Sequence, residues 1–330
     1  MTFRVLTFTA LVAAFVPSVA ASAQTPPPAP PLPANCTSVQ QSFIGTICTP
    51  PSHERHPAII LLGGSEGGDL MARFAPLFAA HGYLAVSVAY FKEPGLPQTL
   101  VDVPVETIGR ALTAIESRDD IDIAHIGIFG GSKGGELALL AAATYPAITA
   151  VVADVPSPFA WMGLGDYGQP EGCSWTLGGR ELPCVAGDAA AGQQIGNEFL
   201  THQPVVLRVF YDASMQNTAA VRAAFFPLER IHGAVLCLSA DDDQLWDSPV
   251  QCRMTLTYLQ AHHHPYADRA IGYQNAGHTF LWATHGPSSV IMSLPLPGGA
   301  TVALGGTVDG DQQAAAQAWP VIWDFLSNNL

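Results

Sequence analysis

Short apolar runs alternate along this chain with longer stretches whose apolar positions recur every three to four residues. Residues 42–48, 57–62, 83–89, 126–129, 148–153, 234–238 and 270–273 are brief and apolar, and glycine, proline or acidic residues bound most of them. Runs of that length and composition predict buried strands. Between them, residues 69–80 carry Leu70, Phe74, Leu77 and Phe78 at helical spacing, with Asp69 placed as an N-cap. Residues 103–117, 136–145, 249–261 and 312–326 read as further helices, and Pro320 is expected to kink or divide the last. Alternation of this kind predicts an α/β fold, a mostly parallel sheet with helices on both faces. No internal repeat is evident.

The rhythm fails in two places. Residues 155–210 hold glycines, prolines, Cys173 and Cys184, and the aromatics Phe159, Trp161, Tyr167 and Trp175, a composition suited to a functional, lid-like insertion. At the N-terminus, Arg4, an apolar run over residues 5–20 and Ala21-Ser22-Ala23 read as a secretory signal peptide cleaved after Ala23. Pro17 and the shortness of the run argue against a membrane anchor. Residues 24–41 follow as a proline-rich tether, extended and unpacked, and the folded domain is expected to occupy residues 42–330.

Charge and cysteine content narrow the setting. A net charge of −14 argues against nucleic acid or anionic lipid as a partner, and 48% hydrophobic against 12% charged residues describes a large core. Six cysteines in an exported chain suggest disulfides. Proximity pairs Cys36 with Cys48, Cys173 with Cys184 and Cys237 with Cys252. For the last pair a free thiol competes, because Cys237 lies inside an apolar strand. No C-x-x-C spacing points to zinc or to a redox pair.

Candidate chemistry begins at residues 130–135, Gly-Gly-Ser-Lys-Gly-Gly, which place Ser132 at a strand-to-helix turn. A serine on so tight a turn needs small residues two positions to either side, here Gly130 and Gly134. Alone, the string also fits a structural turn or a phosphate site at a helix N-terminus. Two further turns extend it: Asp241-Asp242-Asp243 follows residues 233–239, and Gly277-His278 follows residues 270–273. Serine, acid and histidine thus stand in the order of an α/β-hydrolase triad, each just past a predicted strand. Ser132 would be the nucleophile and His278 its base, with Asp243, ahead of Asp242, holding the imidazole. The backbone N–H groups of Lys133 and of Ser65, or of Glu66, would face the oxyanion from either side. His262-His263-His264 is expected to be a solvated run, since adjacent imidazoles cannot all face one ion without a suitable turn. No metal or cofactor is called for.

Residues 130–136, Asp242-Asp243 followed by Trp246, and Gly277-His278 resemble the catalytic domain shared by acyl-CoA thioesterases and bile acid-CoA:amino acid N-acyltransferases. Ala89-Tyr90-Phe91 with Gly95-Leu96-Pro97, Pro227-Leu228-Glu229-Arg230 and Ala318-Trp319 extend the similarity across residues 42–330. The resemblance implies the α/β-hydrolase fold and maps the family's acid to Asp243. Its transferases carry cysteine as nucleophile, so Ser132 implies hydrolysis with water as acceptor. The implied protein is an exported serine hydrolase that cleaves a small-molecule acyl thioester through an acyl-Ser132 intermediate. Alternatives are a carboxylesterase or dienelactone-hydrolase-like enzyme acting on small oxoesters or lactones, and a non-catalytic binding module using residues 155–210. In the enzyme reading, Phe159, Trp161 and Trp175 are expected to line or cover the acyl pocket, with a Cys173–Cys184 bridge restraining that segment; the competing expectation packs these rings on the core.

Overall fold

The computed structural model describes residues 32–330 except 53, 202, 285–286 and 296–299. The expected signal segment and residues 24–31 of the tether lie outside the described residues.

Eight strands make the main sheet: β1 (Cys36–Val39), β2 (Ile44–Cys48), β3 (His56–Leu62), β4 (Leu84–Ala89), β5 (Ile121–Gly131), β6 (Ala150–Asp154), β7 (Ala234–Ala240) and β8 (Arg269–Tyr273). Their spatial order is β1-β2-β4-β3-β5-β6-β7-β8, and β2 alone runs against the others. The helices are α1 (Ala75–Ala80), α2 (Glu106–Glu116), α3 (Lys133–Thr144), α4 (Ala189–Glu198), α5 (Arg208–Met215), α6 (Thr218–Ala224), α7 (Ser248–Ala261) and α8 (Val308–Asn329). Parallel neighbours require crossover helices, and those helices bury both faces of the sheet. Side chains alternate along each strand, so Ile59 and Leu61 pack with Phe78 of α1 and Ile322 and Phe325 of α8. Ala58, Ile60 and Leu62 turn the other way, toward Ile108 of α2 and Leu137 of α3. This is the α/β-hydrolase arrangement expected from the sequence.

Several local expectations change once the chain is folded. The sheet starts before residue 42, because β1 pairs with β2 and the Cys36–Cys48 disulfide ties them. Asp69 does not cap a helix: its carboxylate accepts the hydroxyls of Thr46, at 2.7 Å, and Ser87, joining the loop to β2 and β4. The predicted helix there becomes a short 3₁₀ turn, Leu70–Arg73, followed by α1. Pro320 does not divide α8, whose buried residues on both sides of it, Ala318 and Ile322, lie against the same sheet face. Cys237 is bridged to Cys252, as Cys173 is to Cys184.

The insertion is longer than expected. It runs from the end of β6 to the start of β7 and contains α4, α5 and α6. Its Phe159, Trp161, Phe210 and Tyr211 form a separate apolar cluster together with Trp246, which follows β7. The short strand Trp175–Leu177 fastens it to the body by pairing in parallel with Val103–Pro104. Among the described residues no helix is long and apolar enough to cross a membrane.

Candidate active site

Ser132 stands between β5 and α3 with φ 55° and ψ −123°, a region that L side chains rarely occupy. The flanking glycines make that turn achievable. A Cβ on Gly130 would lie 2.1 Å from the Gly134 carbonyl oxygen, and one on Gly134 would lie 2.2 Å from the Gly63 carbonyl oxygen. The Ser132 N–H donates to the Asp154 carbonyl at 2.9 Å, fixing the turn against the end of β6.

His278 and Asp243 reach this point from two other strand ends. The His278 Nε2 lies 2.9 Å from Ser132 Oγ, and its Nδ1 lies 2.9 Å from Asp243 Oδ2. A carboxylate facing Nδ1 places the ring proton there, leaving Nε2 to accept from the serine hydroxyl. Asp243 is fully buried, and its other oxygen accepts the N–H groups of Leu245 at 3.0 Å and Trp246 at 3.2 Å. Asp242 has different work: its carboxylate accepts the Gly306 N–H at 2.9 Å and the Gln244 side-chain amide at 3.3 Å. The His278 loop is itself anchored, because Asp311 of α8 accepts the Gly277 N–H at 2.7 Å and the Leu304 carbonyl accepts the His278 N–H at 2.8 Å.

A small cavity of about 90 Å³ opens beside Ser132 and His278. Its walls include Leu62, Met71, Phe74, Val155, Leu245 and Trp282, and the Gly63–Glu66 loop forms one side, so Ser65 does face it. Asp154 also borders this cavity while being 1% exposed, and its Oδ1 has no hydrogen-bond partner among the described residues. Burial, reinforced by the Asp243 carboxylate, holds its pKa well above the ordinary carboxyl range.

Phe159, Trp161 and Trp175 are not brought to the cavity. All three are at most 1% exposed: Trp175 packs in the layer under α2 and α3, and the other two lie in the separate cluster with Tyr211 and Trp246. Trp161 and Trp175 instead hold a buried ion pair at the start of α3, next to Ser132. The Lys133 ammonium donates to both oxygens of Glu136 at 2.9 Å and to the Ser174 hydroxyl at 2.7 Å. Glu136 also accepts the Trp175 indole N–H at 2.6 Å and the Trp161 backbone N–H at 3.1 Å. Burial pulls the Lys133 pKa down and pushes the Glu136 pKa up, and each partner opposes the shift in the other. Sequence reasoning missed this pair, although two opposite charges three apart in an otherwise apolar helix are its signature.

The histidine run is a further correction. His264 is not solvated: its ring is buried between Asp268 Oδ2 at 2.6 Å and the Ile231 carbonyl at 2.9 Å, where it joins α7 to the loops preceding β7 and β8. His262 and His263 are exposed.

A family model described as BAAT / Acyl-CoA thioester hydrolase C terminal matches residues 103–330. The chain is similar to acyl-coenzyme A thioesterase 6 of Mus musculus, with 29% identity over 290 residues, 86% of this chain and 62% of that protein. It is also similar to mitochondrial acyl-coenzyme A thioesterase 2 of Rattus norvegicus, with 27% identity over 298 residues, 86% of this chain and 58% of the relative. The chain thus spans about three-fifths of the length of these curated relatives. Among solved structures, a puromycin-hydrolysing peptidase of Mycobacterium tuberculosis matches in fold, with TM-score 0.51, 14% identity and coverage of 86% of this chain and 37% of that one.

Proposed function

Because the chain belongs to the BAAT / acyl-CoA thioester hydrolase C-terminal family, we propose that it is a serine acyl hydrolase cleaving a thioester through an acyl-Ser132 intermediate. The observation that carries this reading is the unbroken run from Asp243 through His278 to Ser132, with 2.9 Å at each junction. Ser132 Oγ bonds to the substrate carbonyl carbon as its proton passes to His278 Nε2. Asp243 stabilises the imidazolium so formed. The negative oxygen of the tetrahedral adduct is held by the backbone N–H groups of Lys133 and Ser65. Collapse breaks the carbon–sulfur bond, and His278 returns the proton to the departing thiolate. Water then repeats the cycle on the acyl-serine, releasing a carboxylic acid.

Export through residues 1–23 belongs to the same proposal. Three disulfides support it, since such bridges persist in oxidising compartments.

A serine-directed fluorophosphonate should label Ser132 in the intact chain. Ser132→Ala should keep the wild-type melting temperature and lose turnover by about 10⁴- to 10⁶-fold. Full activity in that variant would sink the assignment. Comparing kcat/KM for acyl-CoA and matched oxoesters settles the leaving group, and a clear oxoester preference would move the reading to a carboxylesterase.

A further inference from the structure

Three residues of the segment after β4, Tyr90, Phe91 and Lys92, anchor the Gly63–Gly68 loop, and the Tyr90 side chain does so from a buried position. Tyr90 is 3% exposed, and its hydroxyl lies 2.7 Å from both the Gly63 and the Gly64 carbonyl oxygens. Carbonyls cannot donate, so the phenol supplies the proton that the two oxygens share.

No cis peptide bond occurs among the described residues. In a trans peptide the carbonyl and the following N–H lie in one plane and point in opposite directions. Drawing the Gly64 carbonyl toward Tyr90 therefore turns the Ser65 N–H away from Tyr90, and the Gly63 carbonyl does the same for the Gly64 N–H. Tyr90 belongs to the core layer under α2 and α3, beside Trp175, and is not part of the cavity wall. Gly63, Gly64 and Ser65 form the wall between that layer and the cavity holding Ser132. A Cβ on Gly64 would stand 3.4 Å from the Ser132 Cβ, so these peptides are within reach of a group bonded to the serine.

We propose that Tyr90 is a positioning residue for the oxyanion site: its hydroxyl clamps the Gly63 and Gly64 carbonyls so that the Ser65 N–H faces the cavity over Ser132. This rests on the serine hydrolase reading. Without the clamp, water or a rotated peptide can satisfy those carbonyls, and the donor loses its fixed aim. The two other anchors, the exposed Lys92 Nζ donating to the Glu66 carbonyl at 3.1 Å and the Gly68 N–H donating to the Phe91 carbonyl at 3.0 Å, keep the loop attached when the phenol is removed.

The test uses Tyr90→Phe in the full chain. Expected is a fall in kcat of about 10- to 100-fold, less than deletion of an oxyanion donor brings in related chemistry, with KM little changed. Affinity for an alkyl boronic acid, which forms a tetrahedral adduct on serine, should weaken by the same factor. Lys92→Ala, which loosens the loop without turning the Gly64–Ser65 peptide, should lower kcat less than Tyr90→Phe does; an equal or larger loss would mean that attachment of the loop, not the phenol's aim, is what matters. Wild-type kcat in Tyr90→Phe, or a kcat loss with unchanged boronate affinity, would overturn the proposal. A measurement on the unaltered protein does not depend on how the variant folds: forming the phosphonate adduct should move the Ser65 amide proton resonance downfield. An unmoved Ser65 amide in a fully labelled sample would also overturn it. If the phosphonate labels no serine and no ester or thioester turns over, it is the hydrolase reading that has failed.

Discussion

At residue 154, β6 ends in a carboxyl group with nowhere to put a charge. One oxygen of Asp154 has no hydrogen-bond partner among the described residues, the residue is 1% exposed, and the nearby Asp243 carboxylate adds to the effect of burial. Its pKa is therefore raised in the folded state, and folding is favoured while the proton is kept. That contribution is complete below the unfolded carboxyl's value of about 3.9 and is lost as pH rises through the raised folded value. Asp154→Asn cannot ionise, so its melting temperature should exceed that of the wild type by a margin that widens from about pH 4 upward. Thermal melts at closely spaced pH values check this, and a margin constant between about pH 4 and 8 would show that Asp154 ionises freely.

At the scale of elements, the strand-to-helix turn holds the site together, and its glycines are unequal. Gly134 touches the end of β3, since a Cβ there would meet the Gly63 carbonyl oxygen at 2.2 Å, while the nearest atom to a Cβ on Gly131 is the Asp154 Oδ2 at 3.6 Å. Gly134→Ala must push α3 away from the Gly63–Gly68 loop. It should cost about 1–3 kcal/mol in chemical denaturation, as overpacking does, and lower kcat as well. Gly131→Ala should change stability by no more than about 0.5 kcal/mol. Equal losses in the two variants would mean that contact with Gly63 does not govern the turn. The same helix explains the insertion: Trp161, Ser174 and Trp175 close over Lys133 and Glu136, which could not remain charged in the core without those partners.

At the scale of the whole molecule, packing leaves little room beside Ser132. The rings that could have formed a long acyl channel are used in the core, and the cavity at Ser132 measures about 90 Å³. So small a space beside Ser132 suits a short acyl group better than a long one. Among matched thioesters, kcat/KM should peak between acetyl and butyryl and decline by octanoyl. A steady rise through decanoyl would show that the cavity opens on binding and that its resting volume does not select the substrate.

Much of this was legible in the sequence, because the forces involved are local. Apolar periodicity marked the strands of the sheet from Ile44–Cys48 onward and most of the helices, and steric need at a tight turn marked Gly130, Ser132 and Gly134. The order of serine, acid and histidine indicated the fold, since each stands at the end of a different strand in one sheet. What the chain could not disclose depends on groups far apart along it. Asp242 and Asp243 are neighbours of the same type. The first is occupied by Gly306 and the second meets His278, contacts made only when three loops converge. Phe159, Trp161 and Trp175 looked equally suited to a pocket or to a core, and the partner that decides for the tryptophans, Glu136, lies on a helix between other strands. His264 looked solvated until Asp268 and the Ile231 carbonyl enclosed it. Periodicity and turn sterics are fixed by residues a few positions apart, so sequence determines them. The burial and pairing of a polar group are properties of the space around it, and only the tertiary structure creates that space.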